Sequence, residues 1–298
     1  MSLWPFISGQ IGAVTGTPFL PKTPCAVGGG CINAAYILDD GKRAFFVKTN
    51  SADQAAMFET EALGLAELAA AQAIRVPRPI CHGTTADHAW LVLEYIDLGS
   101  GNGQTARLLG EQLATLHRTV SPQGKDRFGW RIDNIIGATP QPNGWMDDWI
   151  AFWRTRRLGF QLGLAARRGL RGAIQAKGEQ LLEALPHFFS GYAPIPSLLH
   201  GDLWGGNWGV DAAGNPVIFD PAVYYGDREA DIAMTELFGG FGSDFHRAYD
   251  ASFPLDPGYG TRKTLYNLYH ILNHFNLFGG GYGAQAERMI GQLLAALR

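Results

Sequence analysis

Two kinds of apolar patterning follow one another along the chain, strand-length runs first and helical spacing afterwards. Residues 32–38 (INAAYIL) and 44–49 (AFFVKT) read as two strands, and Asp39-Asp40-Gly41-Lys42 between them predicts a hairpin. Ser51 and Gln54 have capping-box spacing and predict a helix start near Ser51. Phe58, Ala62, Leu65 and Ala69 recur along that helix at helical intervals. Val76-Pro77-Arg78-Pro79 ends any helix, and residues 90–96 (WLVLEYI) form a further apolar run of strand length. Gly99-Ser-Gly-Asn-Gly103 is a flexible stretch and a natural boundary, giving lobes at 1–97 and 98–298. From Thr105 the spacing is helical, with Leu109, Leu113, Leu116 and Val120 on one face. Trp145, Trp149 and Trp153 follow at four-residue spacing and are expected to stack on one helix face. The basic run from Arg154 to Arg171 reads as a solvated helix face. Residues 207–210 and 216–219 form a tight hairpin around Asp211-Ala-Ala-Gly-Asn215, and the remainder from Arg228 on is mainly helical. This segregation predicts an α+β fold in two lobes: a small one with an antiparallel sheet and one helix, and a larger, mainly helical one.

The candidate chemistry is concentrated in His200-Gly-Asp202-Leu-Trp-Gly-Gly-Asn207 and Ile218-Phe-Asp220. Asp, Asn and Gly are ordinary turn residues, and Asp202 alone would be read as one. The complete string is more demanding. Asp202 and Asn207 share a loop, and a hairpin over 207–219 would return Asp220 to their side. One carboxylate to orient a hydroxyl and take its proton, with an amide oxygen and a second carboxylate for magnesium, suits phosphoryl transfer from ATP. Lys48, near the end of the second strand, is the candidate to reach the α/β-phosphates. Glu61 borders the buried stripe of the next helix and is the candidate to pair with it. Gly28, Gly29 and Gly30 would let backbone approach phosphates, although triple glycine is also a common loop. Glu94, Tyr95 and Ile96 are the candidate adenine contact through their backbone. No Walker motif occurs. Asp231 has two readings, a hydrogen bond to the catalytic loop or a first-turn acid favoured by the helix dipole. His117 reads as a satisfied core histidine; Asn273 and His274 read likewise, or line a substrate pocket.

Composition narrows the partners. With 298 residues, 46% of them hydrophobic, the chain can bury a sizeable core. A net charge of −3 and a pI near 6.2 suggest neither nucleic acid nor an anionic membrane as a main partner. No apolar run is long enough to span a bilayer, and Met1 to Gln10 lacks the pattern of a signal peptide, so a cytoplasmic location is expected. Three cysteines, Cys25, Cys31 and Cys81, argue against a disulfide framework. No Cys-x-x-Cys pair occurs to suggest structural zinc.

The sequence resembles the fructosamine (ketosamine) kinases, within the aminoglycoside phosphotransferase-like, protein-kinase-like superfamily. The matching residues run along nearly the whole chain. They include Gly28-Gly-Gly-Cys-Ile-Asn33, Phe46-Val-Lys48, Met57-Phe-Glu-Thr-Glu61, Leu199-His-Gly-Asp-Leu-Trp204, Gly206-Asn207, Asp220-Pro-Ala222, Phe238-Gly-Gly-Phe241 and Leu272-Asn-His274. The His-Gly-Asp…Asn string is shared by many kinase-like families; the Leu-Trp-x-Gly-Asn and Asp-Pro-Ala extensions are more specific. The resemblance implies a nucleotide site between two lobes, Asp202 as catalytic base, Asn207 and Asp220 as magnesium ligands, and Lys48 with Glu61 as the phosphate-anchoring pair. It implies a small-molecule or protein-bound ketoamine as substrate, whose phosphorylation on a sugar hydroxyl destabilises the adduct and frees the amine. Cys31 would then sit in the phosphate loop, as a redox-sensitive thiol or as a small core residue. The Pro221 ring argues against a flipping activation loop. Two rivals remain at this stage: a kinase of another small hydroxyl substrate (an aminoglycoside, choline or a homoserine-like metabolite), and a nucleotide-binding scaffold without catalysis.

Overall fold

The computed structural model describes residues 3–28, 32–124 and 126–297. The chain forms two compact units, Met1–Gly101 with Gly209–Asp220, and Asn102–Trp208 with Pro221–Arg298.

Period-two patterning in the first unit builds a five-stranded antiparallel sheet. Its strands are β1 (Cys25–Val27), β2 (Ala34–Asp39), β3 (Ala44–Ser51), β4 (Pro79–Thr84) and β5 (His88–Glu94), in the spatial order β1-β2-β3-β5-β4. The β2–β3 turn forms where the sequence signals it. The Asp40 carboxylate accepts from the Lys42 and Arg43 amides at 2.9 and 2.8 Å, and Gly41 takes φ +89°. Because side chains alternate along a strand, Phe45 and Val47 lie on one face and Lys48 on the other. The first face packs on α1 (Trp4–Thr15), whose Ile7 and Ile11 share a core with Leu38, Phe45, Val47, Trp90 and Val92. The sequence reading omitted α1, β1 and β4.

The helix expected at Ser51 starts later. β3 pairs with β5 as far as Ser51 opposite His88, and one 3-10 turn, Ala52–Gln54, precedes α2 (Ala55–Ala70). The Ser51 hydroxyl donates to Asp53 Oδ1 and caps no amide, so the strand ladder prevails over the capping-box pattern. The hairpin β9 (Trp208–Val210) and β10 (Pro216–Ile218) turns on Asp211, which accepts from the Ala213 and Asn215 amides at 2.9 Å. Within the first unit the Ile218 amide donates to the Arg75 carbonyl at 3.0 Å, and Arg75 forms ion pairs with Asp211 and Glu94.

The second unit begins with α3 (Gly103–Leu116). Asn102 and Thr105 form a reciprocal capping box, and Leu109, Leu113 and Leu116 are buried. Two short sheets follow, β6 (Asn134–Ile136) with β7 (Thr139–Gln141), and β8 (Ser197–Leu199) with β11 (Tyr224–Gly226). The helices are α4 (Trp149–Phe152), α5 (Gly159–Arg167), α6 (Ala173–Phe188), α7 (Glu229–Leu237), α8 (Ser243–Ser252), α9 (Tyr259–Phe278) and α10 (Tyr282–Ala295). A π-helical stretch, Trp153–Leu158, joins α4 to α5. Trp149 and Trp153 are buried with ring centroids 5.4 Å apart, but Trp145 precedes the helix and lies against Tyr225 instead. Arg157 departs from the solvated face assigned to the basic run. It is 0% exposed, 4.0 Å from the Tyr224 ring centroid, and donates to the Pro142 carbonyl and Asn143 Oδ1 at 2.6 Å. The wider π turn rotates it inward, out of register with its basic neighbours. Among the described residues no helix is long and apolar enough to cross a membrane.

Candidate active site

The first unit assembles a charge cluster around a buried lysine. Lys48, in the middle of the sheet, is 7% exposed, and its Nζ lies 2.6 Å from both Glu61 Oε1 and Asp220 Oδ1. Glu61 reaches it from α2, where Phe58 and Leu65, three residues before and four after, are buried. Burial alone would lower the ammonium's pKa, but the Glu61 and Asp220 carboxylates outweigh it and hold Lys48 above the ordinary lysine range. Burial pushes Glu61 up, and the like charge of Asp220 adds to that; the Lys48 ammonium opposes both. Asp220 adopts φ +57°, a left-handed conformation uncommon for a side chain with a Cβ, and the Lys48 bond fixes its carboxylate there.

The second unit builds the loop from His200 to Asn207. β8 leads into it, and Asp231 anchors its start: Oδ2 accepts from the His200 amide at 2.7 Å and Oδ1 from the Gly201 amide at 2.8 Å. Of the two readings of Asp231, the structure therefore selects the loop anchor. His117 Nε2 lies 3.2 Å from the same carboxylate and Nδ1 lies 2.8 Å from the Tyr249 hydroxyl. A carboxylate only accepts, so Nε2 carries the proton and Nδ1 accepts from Tyr249. His117 is the satisfied core histidine the sequence suggested. Burial would raise the pKa of Asp231, yet the His117 hydrogen bond and the Gly201 amide bring it below the ordinary carboxylate value. Gly201 has φ +83°, and a Cβ there would stand 2.0 Å from the Ala222 carbonyl oxygen, so only glycine fits. Asn207 Nδ2 donates to the Asp202 carbonyl at 2.9 Å, which sets its amide oxygen on the opposite limb.

Several supporting residues escaped the sequence reading. Gln141 Nε2 donates to the Ala222 carbonyl at 3.0 Å, and Asn134 Nδ2 to the Val223 carbonyl at 2.9 Å. Together they hold the segment that follows Asp220-Pro221. Both lie in three-residue strands too short for a periodic signal. Glu94 ends β5 with its amide donated to the Arg78 carbonyl and its carboxylate paired with Arg75. Tyr95 and Ile96 follow it half-buried. Gly28 is exposed, and Gly29, Gly30 and Cys31 lie outside the described residues.

Comparison with known proteins adds a second line of observation. The fructosamine kinase family model matches residues 3–296. The chain belongs to the fructosamine kinase family. A relative named a probable ketoamine kinase, from Synechocystis sp., is 52% identical over 98% of this chain and 97% of its own. The chloroplastic protein-ribulosamine 3-kinase of Oryza sativa subsp. japonica is 41% identical, over 99% of this chain and 83% of its own. Among solved structures, a Haemophilus somnus protein assigned as a fructosamine-3-kinase superposes with TM-score 0.90 at 30% identity, covering 98% of this chain and 97% of that one. An aminoglycoside phosphotransferase superposes with TM-score 0.66 at 13% identity over 99% of both chains, which shows the shared kinase-like fold alone. The bilobal α+β architecture expected from the sequence is therefore that of this fructosamine kinase family member.

Proposed function

We infer that the chain is an ATP-dependent kinase that phosphorylates a sugar hydroxyl of a ketoamine, a fructosamine or ribulosamine adduct, as a step in deglycation. What carries the reading is the match to ketoamine and ribulosamine kinases over nearly the whole chain, with chemically competent residues at every position of the motif. In this reading the Asp202 carboxylate orients the acceptor hydroxyl and takes its proton as the oxygen attacks the γ-phosphorus, the bond from that phosphorus to the β–γ bridging oxygen breaks, and ADP leaves. Lys48, held charged by Glu61, draws the nucleotide phosphates into register. Gly28, Gly29 and Gly30 supply backbone amides to the phosphates. The backbone of Glu94, Tyr95 and Ile96 makes the adenine contact, with the Glu94 amide itself donated to the Arg78 carbonyl.

Asn207 and Asp220 would hold magnesium. An amide oxygen and a carboxylate are the hard donors this ion takes, and two protein ligands suffice because phosphate oxygens and water complete its shell. When bound, the ion supplies neutralisation of charge on the phosphates. A cytoplasmic enzyme with no nucleic-acid or membrane partner fits the near-neutral charge balance, although the rice relative is chloroplastic.

A panel of acceptors tests the reading: nucleotide turnover with magnesium-ATP and fructosyl-lysine or ribulosyl-lysine, against kanamycin and choline. Turnover confined to the ketoamines is expected. Preference for kanamycin or choline would move the protein to another small-molecule kinase class, and nucleotide binding without any turnover would mark a non-catalytic scaffold.

A further inference from the structure

Arg75 stands on a rigid base in the connection between α2 and β4 of the first unit. Ile74 and Val76 on either side of it are buried, so the Arg75 side chain projects the other way. Pro77 and Pro79 fix their own φ and favour extended backbone at Val76 and Arg78. The guanidinium then meets two carboxylates at once: Nη1 donates to Asp211 Oδ2, and Nη2 to Glu94 Oε1 at 2.9 Å. The backbone of the same segment serves the same two elements. The Arg75 carbonyl accepts from the Ile218 amide at 3.0 Å, and the Arg78 carbonyl from the Glu94 amide at 2.8 Å.

Each carboxylate belongs to a segment with a part in the nucleotide site. Glu94 opens Glu94–Ile96, the backbone assigned to adenine. Asp211 leads the β9–β10 turn, where it accepts from the Ala213 and Asn215 amides at 2.9 Å. β10 runs from that turn to Ile218, two residues before Asp220, the carboxylate assigned to magnesium and bound to Lys48. Gly99 and Val210 close a second tie between the same two segments: each amide donates to the other's carbonyl, at 2.8 and 3.1 Å.

Stability does not account for the double ion pair. The Arg75 side chain is 41% exposed, and ion pairs this open to water add little to folding. What a planar fork with two donating nitrogens supplies is geometry: it fixes two carboxylates relative to one another, which a lysine's single nitrogen does not.

One ATP has to satisfy both segments, its base on the first and its phosphates, with magnesium, on the second. A separation fixed in advance removes the ordering that binding would otherwise have to impose. We propose that Arg75 is a positioning residue that holds the adenine segment and the Asp220 carboxylate at the separation one magnesium-bound nucleotide requires. This role rests on the ATP-dependent kinase reading and deepens it, because the nucleotide site is then set by a residue that acts through Glu94 and Asp211.

The test uses the full chain and two variants that break the tie from opposite sides. Arg75→Met keeps the stem and removes the fork. Asp211→Asn keeps an oxygen for the turn amides and removes the charge. ADP affinity is measured by calorimetry with and without magnesium, alongside steady-state kinetics and thermal melts. In each variant the gain in ADP affinity that magnesium gives should shrink about five- to tenfold. KM for ATP should rise by a similar factor, KM for fructosyl-lysine should stay unchanged, and Tm should move by no more than about 2 °C. The double variant should lose no more than either single one, and Arg75→Lys should recover the loss only in part. A magnesium gain equal to wild type in both single variants, losses that add in the double variant, or losses that merely follow a lower Tm would overturn the positioning role and leave the kinase reading intact. A wild type that binds no magnesium-ADP would overturn the kinase reading and this role with it.

Discussion

Single residues set the shape of the catalytic loop. Gly201→Ala has to displace the Ala222 carbonyl as well as adopt a left-handed backbone, and should cost about 2–4 kcal/mol by denaturant melts, with activity lost in parallel. Asp231→Asn keeps one acceptor oxygen but turns an NH₂ toward a loop amide, so the folded protein should lose about 1.5–3 kcal/mol in the same measurement. The His117–Asp231 pair also predicts a pH dependence. Burial holds the pKa of His117 below its ordinary value, so the unfolded chain takes up the proton first as pH falls. Its contribution to stability is complete above about pH 6.5 and declines below it. Asp231, with its pKa lowered, contributes above about pH 4 and is lost on further acidification, in the same direction. Thermal melts from pH 8 to pH 5 should show Tm falling below pH 6.5, and the fall should be shallower in His117→Gln. A flat profile in the wild type would contradict the buried neutral imidazole.

At the scale of elements, α2 delivers Glu61 and the central strand delivers Lys48. Glu61→Gln removes one of the two charges that hold the ammonium, and should lower kcat/KM for ATP by at least about tenfold, equivalent to about 1.4 kcal/mol. An unchanged value in steady-state kinetics would leave Lys48 without a role for this partner. The π-helical stretch carries a second prediction. Arg157→Leu strands the Pro142 carbonyl and Asn143 Oδ1 in the interior and should destabilise by about 3 kcal/mol, whereas Arg156→Leu should change little. Elements with their own local signals were legible in the sequence. β2 and β3 flank a glycine turn, α3 has leucines at helical spacing, and the β9–β10 hairpin has an Asp-led turn. α1 was hidden because Ser8, Gly9 and Gly12 interrupt its apolar spacing, leaving Ile7 and Ile11 as its buried positions. β4 was hidden because Pro79 and Gly83 are turn residues by composition, and its place in the sheet comes from pairing with β5. The inward turn of Arg157 depends on a helical register that no local pattern announces.

For the whole molecule, the motif was more legible than its scaffolding. The expected Lys48–Glu61 pair forms, and Asp220, 172 residues from Lys48, joins it without any local signal. Asn207 and Asp202 share one loop as the spacing implied, and the Asn207 amide donates to the Asp202 carbonyl. Gln141, Asn134 and Arg75 act through contacts distant in sequence, which a linear reading does not register. The grouping of residues 209–220 with the first unit has the same origin: Arg75 binds Asp211, and its carbonyl receives the Ile218 amide. Family membership then explains why this constellation recurs on one chain, and the proposed chemistry reduces to a single group transfer. The most direct test incubates wild type and Asp202→Asn with magnesium-ATP and fructosyl-lysine, follows the adduct by mass spectrometry, and measures nucleotide affinity by calorimetry. The account predicts a phosphorylated adduct from the wild type, a loss of about 10²–10⁴-fold in rate for the variant, and nucleotide affinity within a few-fold of wild type. Undiminished transfer by Asp202→Asn, or no phosphorylated adduct from the wild type, would contradict it.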